Sequence, residues 1–133
     1  RATRGGGAFL DDERIVAADP AGLAGARIGI SSTERHRDAL AAALPGAEPI
    51  AIGSLAYKLV LIAAGRLDGY VSRRRAHDWD IAAAHLIMAE AGAVLTDAAG
   101  AAISYGQPET WRQGLIAAGP LLQRELVARL NAA

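Results

Sequence analysis

The chain has 133 residues with 14 Lys and Arg against 14 Asp and Glu, so its formal charge is zero and no overall field draws it to nucleic acid or an acidic membrane. With 52% hydrophobic and 21% charged residues it has the balance of a globular domain, not of a disordered segment. It has no cysteine, which excludes disulfides and thiolate metal sites and suits a reducing cytoplasm.

Residues 5–16 read as two short strands around an Asp-Asp-Glu turn. Such a hairpin has no core of its own, and its expected partner is a larger sheet upstream. Pro20, Gly22 and Gly25 then interrupt the pattern, a soft boundary that divides residues 1–24 from an α/β domain over 25–133. Arg27–Ser31 reads as a strand, and Ser31 to Thr33 supply hydroxyls to cap a helix running to about Leu44. Pro45-Gly46 ends it, and Glu48–Ile52 is a second strand. Gly53-Ser54 opens an apolar helix that Gly65 stops. Leu67–Ser72 is the next strand, followed by a turn rich in arginine at Arg73, Arg74 and Arg75.

A helix over 79–91 ends at Gly92, and its composition leaves so little polar face that burial is expected. Val94–Thr96 and Ala102–Tyr105 read as strands around Ala99-Gly100, and Leu115–Ala118 as another. Pro120 opens the last helix in its first turn. Lys58, Arg66, His85 and Glu90 break the longest apolar runs, so no bilayer span is expected, and no signal peptide is visible. The sequence opens at Arg1 without a methionine, as an excised piece of a longer protein would.

The chemistry concentrates in residues 77–93, where Asp78 and Asp80 stand at the entrance of the apolar helix. Asp78 as a cap and Asp80 beside the positive helix end are ordinary roles. A divalent cation needs several oxygen ligands, and on composition alone capping is the better account. Glu90, on the same helix, needs a partner or must reach the helix end. Gly53-Ser54 at a helix start could cap the helix or present N–H groups to a phosphate, and these two roles weigh equally in isolation.

Trp79-Asp80-Ile81-Ala82-Ala83-Ala84, continuing through Leu86-Ile87-Met88 to Gly92-Ala93, closely resembles the second signature of the inositol monophosphatase superfamily. It departs at Ala93, where that family usually has glycine. Gly5-Gly6-Gly7-Ala8-Phe9-Leu10 resembles the family's Gly-x-Gly-Ala-Phe hairpin, and Gly53-Ser54-Leu55-Ala56 its Gly-Ser-x-Ala segment. The first signature, Asp-Pro-x-Asp-Gly-Thr, with its preceding Glu-Glu pair, has no counterpart, since neither Asp19-Pro20 nor Asp68-Gly69 continues correctly. The resemblance therefore implies the carboxyl-terminal half of a protein about twice as long.

What that resemblance implies is a layered α/β fold, with a mixed sheet flanked by helices and the first hairpin belonging to a second, antiparallel sheet. It makes Asp80 a ligand of Mg2+, of which the complete enzyme would hold two or three ions, with Trp79 supporting it. His77 and Asp78, close to Asp80 in sequence, are placed in the same supporting role by position. Gly53 and Ser54 would line the substrate pocket. Other carboxylates would come from the upstream half, so the chain alone is expected to be inactive. A homodimer is a further family trait.

Many inositol monophosphatases carry a glutamate seven positions before the metal-binding aspartate, and here that position is Arg73. A guanidinium there suits a second phosphate, although a solvated turn is the ordinary role of any single arginine. Lys58, on the helix after Gly53-Ser54, adds to this, its ordinary role being a surface charge. Together they point to a CysQ-type 3'(2'),5'-bisphosphate nucleotidase acting on adenosine 3',5'-bisphosphate. An inositol-1-phosphate or related sugar phosphatase is the alternative. A non-catalytic nucleotide-binding or regulatory module is the alternative of another class, weakened by the lack of a Gly-x-Gly-x-x-Gly fingerprint. His85 reads as a satisfied core residue, and Asp68 and Asp97 as turn residues.

Overall fold

In the computed structural model, which describes residues 1–132, the chain forms an antiparallel three-stranded sheet and a mixed five-stranded sheet with helices on both faces. The small sheet comprises β1 (Ala2–Thr3), β2 (Gly7–Leu10) and β3 (Glu13–Ile15), one strand more than the hairpin expected. Asp11 and Asp12 make the β2–β3 turn, both at positive φ (49° and 66°), as a two-residue hairpin of right-handed twist requires.

The large sheet has the order β5-β4-β6-β8-β7. Its strands are β4 (Arg27–Ile30), β5 (Glu48–Ala51), β6 (Gly69–His77), β7 (Val94–Asp97) and β8 (Trp111–Ala118). β4 pairs in parallel with β5 and β6, whereas β8 runs antiparallel to β6 and β7. The helices are α1 (Arg37–Ala42), α2 (Leu55–Ala63), α3 (Asp78–Glu90) and α4 (Pro120–Leu130).

Strand alternation divides the core between two faces. Leu115 and Ala117 of β8 pack with Leu59, Ile62, Ile81 and Met88 of α2 and α3, while Ile116 and Ala118 pack with Leu40, Leu122 and Leu126 of α1 and α4. The small sheet covers the outer side of α3. Glu90 finds its partners there, its carboxylate accepting from Gly5 N–H and, at 3.3 Å, from Gly7 N–H. α3 is buried only along Ile81, Ala84 and Met88. Its alanines at 82, 83 and 89 stay exposed, because a helix with little polar face need not be enclosed when its outer positions are this small. The interrupted segment before β4 is tied into the same body, since Asp19 Oδ1 caps α4 by accepting from Leu121 N–H at 2.9 Å.

Three expected elements differ. α1 begins at Arg37 and no hydroxyl caps it, because residues 31–36 form turns that carry Glu34 toward β6 instead. The arginine-rich turn is strand: β6 continues through Arg73–Arg75 to His77. Ala102–Tyr105 contributes only an isolated bridge, Thr96 to Ala102, in place of a strand. Among the described residues no helix is long and apolar enough to cross a membrane.

Candidate active site

Three backbone features converge at one end of the large sheet. α2 starts at Ser54, which holds the uncommon φ of +59° and whose Oγ accepts from Tyr57 N–H at 3.3 Å. A non-glycine residue at that φ is strained, and the surrounding structure must hold it there. The result points the free N–H groups of the first helical turn outward, beside Gly53. α3 starts nearby, with Asp80 in its first turn.

β6 supplies the third feature. Its register against β8 runs from Ser72–Leu115 to Arg75–Gln113, so three steps on one strand match two on the other. This bulge needs Gly114 opposite it: Gly114 has φ +75°, and a Cβ there would sit 2.7 Å from the Ser72 carbonyl oxygen. A strict strand would send Arg74 and Arg75 to opposite faces, but the bulge brings both to the same side.

The groove between these features has a volume of about 560 Å³. Ser31, Ser32 and Thr33 line it with Gly53, Ser54 and Lys58 and with Arg74, Arg75 and Asp80, beside Tyr70, Ser72 and the apolar Leu55, Ala56, Ala76 and Leu115. Gly53, Ser54, Lys58 and Asp80, each singled out in the sequence, thus share one space. Arg73 is a correction. It lies outside this groove and lines two other recesses, because strand alternation puts it on the side of Val71, and the bulge brings Arg75, not Arg73, round to the groove. The arginine seven positions before Asp80 is thus not one of the two that line the groove. Arg74, Arg75 and the Ser31–Thr33 hydroxyls were visible in the sequence, but only the bulge and the late start of α1 put them in the groove.

Lys58 is no surface charge. It is 2% exposed, its Nζ donates to the Ile52 carbonyl at 2.9 Å, and it lies 5.1 Å from the centre of the Tyr70 ring. Burial, followed by the nearby Arg74 guanidinium, pushes its pKa below the ordinary lysine value. Asp80 is exposed, and among the described residues its one hydrogen bond is a long one from His77 N–H at 3.4 Å. Its carboxylate oxygens are therefore open to a cation. A single carboxylate fills at most two of the positions around Mg2+, and no three His, Asp or Glu side chains gather for a metal among the described residues. The donor set of this chain fits a share of a metal site.

The residues around Asp80 brace the start of α3. His77 and Trp79 stack at 4.4 Å with planes 6° apart, and Trp79 is otherwise 70% exposed. Asp78 pairs with Arg112 at 3.3 Å, and its N–H donates to the Thr110 carbonyl at 2.7 Å, fastening the helix entrance to β8. None of these three lines the groove. His85 Nδ1 lies 2.7 Å from the Tyr105 hydroxyl on the far side of α3, a satisfied contact away from the groove. Asp68 binds Arg27, through the backbone N–H at 2.8 Å and the guanidinium, and Asp97 closes a turn by accepting from Ala99 and Ala101 N–H.

The profile of the inositol monophosphatase family matches residues 1–133. The chain belongs to the inositol monophosphatase family. It is 34% identical over 143 aligned positions to the inositol-1-monophosphatase SuhB of Mycobacterium tuberculosis, covering 98% of this chain and 46% of that protein. It is 36% identical over 107 positions to the inositol-1-monophosphatase of Rhizobium meliloti, covering 74% of this chain and 40% of that protein. Among solved structures, an IMPase of Thermotoga maritima matches with a TM-score of 0.84 and 28% identity, over 98% of this chain and 50% of the other. The chain thus spans about half the length of the family members it matches. That IMPase structure shares its layered α/β architecture.

Proposed function

We propose that this chain is the carboxyl-terminal, substrate-orienting half of a metal-dependent phosphomonoesterase acting on a small hydroxyl-rich phosphate ester, inositol 1-phosphate or a related sugar phosphate. The observation that carries the proposal is the shared groove: the open Asp80 carboxylate, the α2 entrance at Gly53-Ser54 and a wall of hydroxyls face one space. The relatives named inositol-1-monophosphatase support it. Among the described residues that line the groove the one aromatic ring is Tyr70, 4% exposed beneath Lys58, which offers a nucleobase no face to stack on.

A magnesium ion held in part by Asp80 would neutralise phosphate oxygens and the leaving alkoxide. The chain's other groove residues bind and orient the ester. The N–H groups at the α2 entrance orient an anionic or hydroxyl oxygen. Ser31, Ser32 and Thr33 offer hydroxyls to a polyol, and Arg74 and Arg75 set a positive wall that favours a phosphorylated ligand over its dephosphorylated product. The remaining carboxylate ligands would come from the half outside this chain, which would also extend the three-stranded sheet. A homodimer and a cytoplasmic location belong to the same proposal.

The arginine pair favours a second reading, a 3'(2'),5'-bisphosphate nucleotidase converting adenosine 3',5'-bisphosphate to AMP and phosphate, with Arg74 and Arg75 seating the second phosphate. Phosphate release from inositol 1-phosphate and from adenosine 3',5'-bisphosphate, measured with the full-length protein and Mg2+, decides between them. A higher kcat/KM for the nucleotide would overturn the first reading, and no release from either would overturn both.

A further inference from the structure

Beside the groove lies a second recess of about 360 Å³, lined by Thr33, Glu34, Arg35, His36 and Arg73 to Arg75. It joins two segments distant in sequence, the turns before α1 and the β6 bulge, and shares Thr33, Arg74 and Arg75 with the groove. Its charge is unusual for a chain with zero net charge. Four arginines and a histidine line it, Arg75 with its guanidinium 3.9 Å over the Trp111 ring, and none of the four arginines has a carboxylate within ion-pair distance among the described residues.

The one carboxylate in the recess does not neutralise them. Glu34 is 6% exposed and turned inward, its Oε2 accepting from Ser72 Oγ at 2.6 Å and from Arg73 N–H at 3.2 Å. That pair of bonds holds the bulge on which the arginines sit, and Arg74 also donates from its guanidinium to Thr33. Crowding like charges at one place costs stability unless an anion joins them. Forked guanidinium donors from two segments suit the several oxygens of a phosphate.

We propose that this recess is a second anion site taking a phosphate group, distinct from the groove that holds Asp80. The phosphate belongs either to a substrate that extends out of the groove or to a separate phosphorylated molecule. The site rests on the geometry of the recess and not on the phosphatase reading.

Its test uses inorganic phosphate titrated into the full-length Asp80→Asn protein in EDTA, followed by calorimetry, so that no metal-held phosphate contributes. Saturable binding at roughly millimolar concentration is expected. It should weaken about tenfold or more in the added Arg35→Gln/Arg73→Gln variant and return largely with Arg35→Lys/Arg73→Lys. Both arginines are exposed and outside the groove, and a thermal melt confirms that each variant folds. No saturable binding, or equal binding by the Gln variant, overturns the proposal. Kinetics with Asp80 intact then assign the phosphate's source. A rise in KM for a bisphosphate but not for a monophosphate assigns it to the substrate. A response of monophosphate turnover to added phosphate that the Gln variant lacks assigns it to a separate molecule.

Discussion

The two halves of β6 obey different rules. Gly69 to Ser72 is buried, pairs with β4 on one side and β8 on the other, and alternates regularly, Tyr70 facing α2 and α3 while Val71 faces α1 and α4. Arg73 to Arg75 is exposed, loses the parallel partner and bulges against Gly114. Apolar burial fixes the first half, since a slip of one residue would turn Val71 out of its core. Across Arg73 to Arg75 no buried apolar side chain sets the register, and the next one is Ala76 beyond the bulge. Polar contacts set it instead, chiefly Glu34 to Ser72 and Arg73, and the freedom so gained puts two arginines on one wall.

The largest expected effect separates the site from the scaffold. Asp80→Asn in the full-length protein should lower kcat/KM by at least about a hundredfold with little change in stability, because the proposed metal ligand is lost from an exposed position. If phosphate release survives, Asp80 serves only the helix. Glu34→Ala comes next. It leaves the Ser72 hydroxyl and the Arg73 N–H without their acceptor, at a cost of about 2 to 3 kcal/mol in urea unfolding. It should also move Arg74, so KM rises as well. A stability loss with unchanged KM would show that the bulge does not depend on Glu34. Val71→Ala, in the regular half, should cost about 2 kcal/mol and leave KM as it was.

Smaller effects sharpen the contrast. Lys58→Met should change stability by less than about 1 kcal/mol despite 2% exposure, because removing the buried charge offsets its lost bond to Ile52. Phosphate-ester affinity should nevertheless fall. A large destabilisation instead would make Lys58 part of the scaffold. The smallest effect lies away from β6. Burial lowers the His85 pKa below its ordinary 6.5, so the unfolded chain binds more protons there than the folded one. Its contribution is complete above that ordinary value and lost as pH falls through the lowered one. His85→Phe should flatten the acid side of a stability profile, and an unaltered slope would rule this out.

Much of the architecture was legible from local signals. Gly65 and Gly92 ended helices where positive φ was needed, Pro120 opened α4, and alternation marked the central strands. Errors fell where a distant partner overrode local preference. Ser31 to Thr33 looked like a helix cap, but Glu34 is drawn to β6 and the helix starts later. Arg73 to Arg75 looked like a turn because three charges seldom continue a strand, yet β8 supplies pairing up to His77.

The sequence by itself pointed to the family, through the resemblance of the segments around Trp79-Asp80 and Gly53-Ser54 to the family's signatures, because each signature is a contiguous run that begins at a helix entrance and needs no distant partner to be read. Only the tertiary structure decided which arginines face Asp80. A bulge is a mismatch between two strands, and neither β6 nor β8 alone records where the extra residue will fall.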